Sequence, residues 1–153
     1  MIRAEYSCLL PVDPQPLFAY ISDPSNDVHW QGSCVEAQLA SSPATLGTEY
    51  SIVFSFLGRR MNFRCLITTF EPPYTFAFKV LEGSFLYEGR YRFSAEAQGT
   101  RLDWQFDVEP GRFFGILPVS LLRKVLISQI EKDFIRVGQL VAMQSPAKEW
   151  AHD

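Results

Sequence analysis

The chain has 153 residues, of which 47% are hydrophobic and 20% charged, which is the composition of an ordinary soluble domain. This length suffices for one hydrophobic core and is short for two, so we expect a single domain over residues 1–146 and a loose tail over residues 147–153. The net charge of −3, with scattered Lys and Arg and no basic stripe, argues against a nucleic-acid partner.

The N-terminal residues and the cysteines favour a cytoplasmic location. Arg3 and Glu5 interrupt the stretch where a secretory signal needs an apolar run. No apolar run approaches the roughly 18 residues of a membrane span. Cys8, Cys34 and Cys65 are odd in number, widely spaced and set among apolar neighbours. We therefore expect buried free thiols rather than a disulfide.

The N-terminal part of the chain predicts a strand, two short helices and a second strand. Apolar and polar residues alternate over residues 2–8, which is the period of a half-buried strand. Asp13-Pro14 is typical of a helix cap followed by the first helical residue, and Asp23-Pro24 begins a second short helix that reaches Trp30. A less regular pattern over residues 35–40 predicts the next strand.

From Gly47 onward the pattern is a meander of antiparallel strands with one apolar and one polar face. Any two-residue turn next to Gly58 keeps the apolar residues of its two strands on the same side of the sheet. A four-residue turn over Glu96–Gly99 places Tyr91 beside Trp104. The aromatic side chains of the meander are therefore expected on one common face.

An earlier turn in the meander predicts the register of the two strands that it joins. A two-residue turn at Glu82-Gly83 places Phe78 beside Tyr87. Gly89 then interrupts the aromatic row in mid-strand, where glycine indicates either a sharp bend or bulge, or the close approach of a ligand.

Residues 118–143 form a long helical pattern, with apolar residues at steps of three or four on one face. Pro118 suits the first helical position and Pro146 marks the end, so the helix is about 25 residues long. It is long enough to cover the apolar face of the sheet. Arg123 and Asp133 fall within its apolar arc, where each either reaches solvent at the edge or projects inward as a polar anchor for a ligand.

This order of elements, with a set of short motifs, resembles a known family. The motifs are Val12-Asp13-Pro14, Leu17-Phe18, Asp23-Pro24 with Trp30, Gly47, Glu71-Pro72-Pro73 and Gly99-Thr100. Together they resemble the START-like, Bet v 1-like (SRPBCC) superfamily, in particular its polyketide cyclase/dehydrase and lipid-transport group. The resemblance implies an α+β helix-grip fold, in which a seven-stranded curved antiparallel sheet wraps around one long C-terminal helix, with two short helices between strands 1 and 2. Members bind lipids, sterols, quinones, plant hormones or polyketides between sheet and helix; some cyclise or dehydrate them, and others only carry them.

The aromatic rings on the inner face can either line such a cavity or fill it as a packed core, and the resemblance favours a cavity. Ile130 lies at the middle of the helix's apolar stripe, above these rings. Desolvation of a buried Asp133 would raise its pKa and enable it to act as an acid or base. The predicted ligand-binding residues are Trp30, Phe54, Phe56, Phe63, Phe76, Phe78, Tyr87, Tyr91, Trp104, Phe106, Arg123, Ile130 and Asp133.

The sequence lacks a phosphate-binding glycine loop, a metal-ligand cluster and a nucleophile elbow, so we expect no cofactor and no metal. His29 and His152 are too few and too far apart for a zinc site. The leading hypothesis is binding or transport of an apolar small molecule: a lipid, quinone, isoprenoid or polyketide-like compound. A polyketide cyclase or dehydratase that uses Tyr, Arg or Asp side chains as acid and base is the second, and a protein-interaction module is the third.

The segment Gly111–Leu117 carries two phenylalanines, Phe113 and Phe114, between glycines. It is interpreted as a flexible lid over the cavity, as a patch that touches a membrane transiently during ligand exchange, or as a segment docked on the core.

Overall fold

A computed structural model describes residues 1–56, 58–109, 111 and 117–144. In these residues the chain forms strands, short helices and one long helix in the predicted order. The elements are β1 (Ile2–Leu10), α1 (Pro14–Ile21), a 3₁₀ turn (Pro24–Asn26), α2 (Asp27–Trp30), β2 (Cys34–Leu39), β3 (Glu49–Phe56), β4 (Arg59–Glu71), β5 (Thr75–Gly83), β6 (Leu86–Glu96), β7 (Gly99–Glu109) and α3 (Val119–Met143).

The seven strands form one antiparallel sheet in the order β1-β7-β6-β5-β4-β3-β2. The N-terminal strand β1 thus pairs with the last strand, β7, and Ala4 lies opposite Phe106. Side chains alternate between a buried inner face and an exposed outer face along β6, whereas the outer face of β7 is mostly half-buried. The helix-grip fold class is confirmed: a seven-stranded curved antiparallel sheet, a long C-terminal helix, and short helices between strands 1 and 2.

The β6–β7 register is as predicted, whereas the β5–β6 register is not. Tyr91 opposes Trp104, but Phe78 opposes Gly89 instead of Tyr87. The prediction was wrong because β5 makes no tight turn at Glu82-Gly83; it continues to Gly83 along β4, past two register shifts in the β4–β5 pairing. A displacement by two residues leaves each side chain on its predicted face.

The structure provides an explanation for Gly89 that the sequence did not suggest. It pairs in regular register with Phe78 of β5 and Phe106 of β7, so it marks no bulge in these two ladders. The ring of Phe78 occupies the space in which a Cβ atom at Gly89 would lie. The glycine therefore makes room for a neighbouring aromatic ring of the sheet itself.

The long helix α3 has 25 residues, as predicted, and begins one residue later than predicted. Pro118 is its N-cap, with the extended ψ of 140°, and the Pro118 carbonyl accepts hydrogen bonds from the N–H groups of Leu121 and Leu122. The buried face of α3 packs on the sheet, where Gly138 lies against Leu10 at the end of β1. Its buried residues are Leu122, Ile130, Asp133, Phe134, Val137, Gly138 and Val141.

The short helices α1 and α2 pack at one end of the sheet and helix. Trp30, at the end of α2, is fully buried, with its ring centroid 6.2 Å from that of Tyr91 and 6.3 Å from that of Phe134. Arg136 of α3 donates from Nε to the His29 carbonyl oxygen at 2.6 Å. Aromatic packing and this hydrogen bond together join α2 to both the sheet and α3.

Candidate functional site

A cavity of about 120 Å³ lies between the inner face of the sheet and α3. Aromatic rings of the sheet form most of one side, and Leu122, Leu126 and Ile130 of α3 form the other. One part of the lining is polar and includes Asp27, Gln31, Ser33, Gln129 and Asp133. The cavity is therefore apolar over most of its surface and carries hydrogen-bonding groups in the region between α2 and α3.

Nine of the thirteen predicted ligand-binding residues line this cavity. Seven are aromatic residues of the sheet, and two belong to α3. They are Phe54, Phe56, Phe78, Tyr87, Tyr91, Trp104, Phe106, Ile130 and Asp133. The position of the seven aromatic residues follows from the alternation of side chains along each strand, because a side chain on the inner face of the sheet points toward the helix that covers it. Contact of these residues with a ligand stays a prediction.

Three predicted aromatic residues lie outside the cavity lining, because other rings stand in front of them. Trp30 is buried between Tyr91 and Phe134. Phe63 packs its edge against Tyr87, with centroids 5.1 Å apart. Phe76 is stacked on Tyr91, at 6.2 Å and an interplanar angle of 10°. These three rings support the cavity wall from behind.

Arg123 also lies outside the cavity, although it was predicted as a polar anchor. Its Nε atom donates a hydrogen bond of 2.9 Å to the carbonyl oxygen of Arg3, on β1. The side chain therefore runs from α3 to the backbone of β1 at the edge of the sheet. The long arginine stem enables this reach from a position within the apolar arc of the helix.

Asp133, by contrast, points into the cavity and holds the loop after α2. Its Oδ1 atom accepts a hydrogen bond from the Gly32 backbone N–H at 3.0 Å and another from Gln129 Nε2 at 2.9 Å. Desolvation raises the pKa of Asp133, and the two hydrogen bonds oppose that rise by stabilising the ionised form. The residue thus combines a structural contact to Gly32 with a place in the cavity wall.

Asp27 is a second carboxyl group in the cavity wall, and the sequence analysis did not select it. It lies in the first turn of α2 and is 7% exposed. Burial raises the pKa of Asp27 well above its ordinary value. The indole N–H of Trp30 opposes that rise from nearby, but it falls short of a full hydrogen bond, since Trp30 Nε1 is buried without a partner in the described residues.

A signal for Asp27 was present in the sequence. Asp27 and Trp30 are three residues apart on one short helix, and residues at this spacing share a helix face. Because Trp30 was predicted to bind the ligand, its neighbour on that face was a candidate for the cavity wall as well. The direction in which α2 faces was not predictable, since it depends on packing against Tyr91 and Phe134.

Three tyrosine hydroxyls complete the polar part of the inner face. Tyr50, Tyr87 and Tyr91 all line the cavity. Burial raises the pKa of each well above its ordinary value, and the charge of Asp27 adds to the rise at Tyr91. The Tyr87 hydroxyl lies 3.6 Å from Cys65 Sγ. At neutral pH these phenols stay protonated, so each can donate a hydrogen bond to a ligand.

The predicted lid cannot be placed, because residues 112–116, including Phe113 and Phe114, lie outside the described residues. Its last residue, Leu117, packs beside a small apolar cluster formed by Ile2 and Leu122.

None of the helices in the described part of the chain combines the length and apolar character needed to cross a bilayer.

Comparison with known proteins identifies the family. The family model for polyketide cyclase / dehydrase and lipid transport matches residues 1–138. No curated protein matches the chain. Among solved structures, a conserved protein from Geobacillus kaustophilus has a TM-score of 0.80 at 16% identity, with 93% of this chain and 96% of that chain covered.

Two further solved structures are similar in fold. A protein from Thermus thermophilus has a TM-score of 0.79 at 19% identity, covering 94% of this chain and 99% of that chain. A START superfamily protein from Mycobacterium smegmatis has a TM-score of 0.79 at 12% identity, covering 95% and 100%. These identities support the shared fold alone. The family match over residues 1–138 shows that the chain belongs to the polyketide cyclase / dehydrase and lipid transport family.

Proposed function

We propose that the chain binds an apolar small molecule, such as a lipid, quinone, isoprenoid or polyketide-like compound, in the cavity between the sheet and α3. The observation that carries this proposal is a cavity walled mostly by aromatic rings, with a few hydrogen-bonding side chains among them. Each Å² of apolar ligand surface that enters contributes about 25 cal/mol. The tyrosine hydroxyls and the two carboxyl groups then orient whatever polar group the ligand carries.

The size of the cavity limits the ligand. Its volume of about 120 Å³ is below the roughly 300–1,000 Å³ of sites for drug-sized molecules. We therefore propose that it encloses a compact molecule, or one end of a longer one.

The test fills the cavity from the helix side with the substitution Ile130→Trp. Ile130 lies in the cavity wall, so the added ring has space beside it and should leave the melting temperature unchanged or raised. Uptake of N-phenyl-naphthylamine, an uncharged fluorophore, should fall to background. Fluorescence titration measures uptake, and thermal unfolding measures stability.

The matched control is Ile135→Trp, which adds the same ring on the opposite, solvent side of α3, where Ile135 is 57% exposed. This variant should take up the fluorophore like the wild type. A wild type that takes up none, together with an Ile130→Trp variant destabilised by the roughly 1–3 kcal/mol typical of overpacking, would refute a binding cavity in favour of a packed core.

A second candidate function is a cyclase or dehydratase, favoured by the two buried carboxyl groups that share the cavity with protonated tyrosines. In a dehydration, Asp133 removes a proton from the carbon next to a carbonyl group. A carbon–carbon double bond forms as the β-carbon–oxygen bond breaks, and Tyr91 donates the proton that releases water. Formation of the enone from a bound β-hydroxy ketone distinguishes this enzyme from a carrier, which returns the compound unchanged.

A further inference from the structure

The polar part of the cavity carries two acidic side chains and, in the described residues, no basic one. Asp27 and Asp133 both contribute carboxyl groups to it. In the described ranges of the chain, no Lys, Arg or His side chain lines the cavity. A buried negative charge is stabilised best by a cation, and the described lining offers none to a charged ligand.

Two arginines of α3 are engaged by backbone carbonyl groups outside the cavity lining. Arg136 donates to the His29 carbonyl oxygen, and Arg123 donates to the Arg3 carbonyl oxygen. The positive charges of Arg136 and Lys132 lower the pKa of Asp133, because each attracts its carboxylate. These side chains offset part of the negative charge in the wall and leave no cation facing a ligand.

The hydrogen bonds at Asp133 stabilise its ionised form and oppose the desolvation that raises its pKa. The Gly32 N–H and Gln129 Nε2 both reach Oδ1, and two N–H donors on one oxygen favour the carboxylate over the acid. The second oxygen remains to accept a hydrogen bond from a ligand hydroxyl. The tyrosine hydroxyls in the same cavity can donate to a ligand carbonyl or hydroxyl oxygen.

We infer that the cavity selects uncharged apolar molecules that carry a hydroxyl or carbonyl group, and rejects carboxylates of the same size and shape. The inference rests on the proposed binding function and narrows it: alcohols, phenols, ketones and esters are accepted, and free carboxylic acids are excluded. A carboxylate in this cavity is repelled by Asp133 and is buried without a cation, whereas a hydroxyl group meets both acceptors and donors.

The test compares two ligands that share one apolar body, naphthylmethanol and naphthoate, at neutral pH. Titration of their intrinsic fluorescence gives the two dissociation constants. The alcohol should bind more than about tenfold tighter than the carboxylate, because two like charges at close range in a partly buried site oppose each other strongly. A carboxylate that binds as tightly as the alcohol would overturn the inference and leave the proposed binding function intact.

The variant that isolates the charge is Asp133→Asn, since an asparagine oxygen still accepts from Gly32 and Gln129. It should reduce the preference for the alcohol at least about threefold by strengthening naphthoate binding. The control Asp103→Asn changes the net charge equally on β7's outer face, where Asp103 opposes Arg92, and should keep the wild-type preference. An Asp133→Asn preference equal to that of the control would overturn the inference. Failure of both ligands to bind would overturn the binding function itself.

Discussion

Asp27 is a buried carboxyl group whose pKa in the folded protein is raised by desolvation above the ordinary 3.8. The folded chain therefore keeps this proton at pH values where the unfolded chain has lost it. By linkage, the contribution of Asp27 to stability falls as the pH rises above about 3.8, until its raised folded pKa has been passed. Ionised Asp27 thus lowers the free energy of unfolding.

We predict that Asp27→Asn becomes more stabilising, relative to the wild type, as the pH rises. The variant keeps a polar side chain of the same size and cannot ionise, so it escapes the cost that Asp27 incurs. Melting temperatures of both proteins, measured between about pH 4 and about pH 8, give the difference directly.

The thiol and phenol groups near Asp27 do not titrate in this window. Burial raises the pKa of Cys34 to about 12, and it also raises the pKa values of Tyr50 and Tyr91. The control Asp103→Asn removes a carboxyl group from the outer face of the sheet, outside the cavity, and its melting temperature is measured at the same pH values. A pH-independent difference for Asp27→Asn would mean that this carboxyl group ionises equally in the folded and unfolded chains.

At the scale of elements, the contact of α3 with β1 depends on a glycine. A Cβ atom at Gly138 would lie 3.2 Å from Leu10 Cδ2, which is a tight contact with the end of a flexible side chain. A glycine on the buried face of a helix permits either close packing on a strand or room for a ligand. Its position against Leu10 favours close packing, since Gly138 is absent from the cavity wall.

We predict that two substitutions at Gly138 differ in their effect on the free energy of unfolding. Gly138→Ala should change the free energy of unfolding by less than about 1 kcal/mol, because better helix propensity offsets the crowding of Leu10. Gly138→Leu should destabilise by about 1–3 kcal/mol, because the larger side chain forces α3 away from β1. Urea denaturation measures both. A Gly138→Leu variant as stable as the wild type would show that α3 can separate from β1 at little cost.

Elements were predictable where local sequence determines them, and registers only where the turn is tight. The alternation of β6 and β7 and the short turn between Glu96 and Gly99 were sufficient to align Tyr91 with Trp104. The β5–β6 alignment depends on β5 continuing along β4 as far as Gly83. That pairing is between strands, so no local pattern of β5 alone determines it.

At the scale of the whole molecule, the residues that the sheet contributes to the site were predictable from the sequence. The prediction was incomplete at the end of the site near α2. Strand parity indicated the aromatic wall, but parity cannot show which ring stands in front of another, so Phe63 and Phe76 were included although other rings cover them. The choice between an inward and an outward Arg123 depended on whether its stem could reach Arg3. Asp27 joins the site only through the packing of α2 on the sheet and α3.

The volume of the cavity sets a limit on ligand length that the whole fold enforces. For primary alkyl alcohols, each added methylene should strengthen binding by about 0.8 kcal/mol, or about fourfold, while it enters the apolar region. Once the space of about 120 Å³ is filled, further methylenes remain in water and add nothing, so affinity should level off before hexadecanol.

Displacement of N-phenyl-naphthylamine by the alcohol series measures this limit. In Ile135→Trp, which leaves the cavity wall unchanged, affinity should level off at the wild-type chain length. Affinity that rises by the same factor through hexadecanol would show that the sheet and α3 separate to admit the chain. The cavity would then be the closed form of a larger site, and its size would be set by the strength of the contact between α3 and β1 rather than by the side chains that line it.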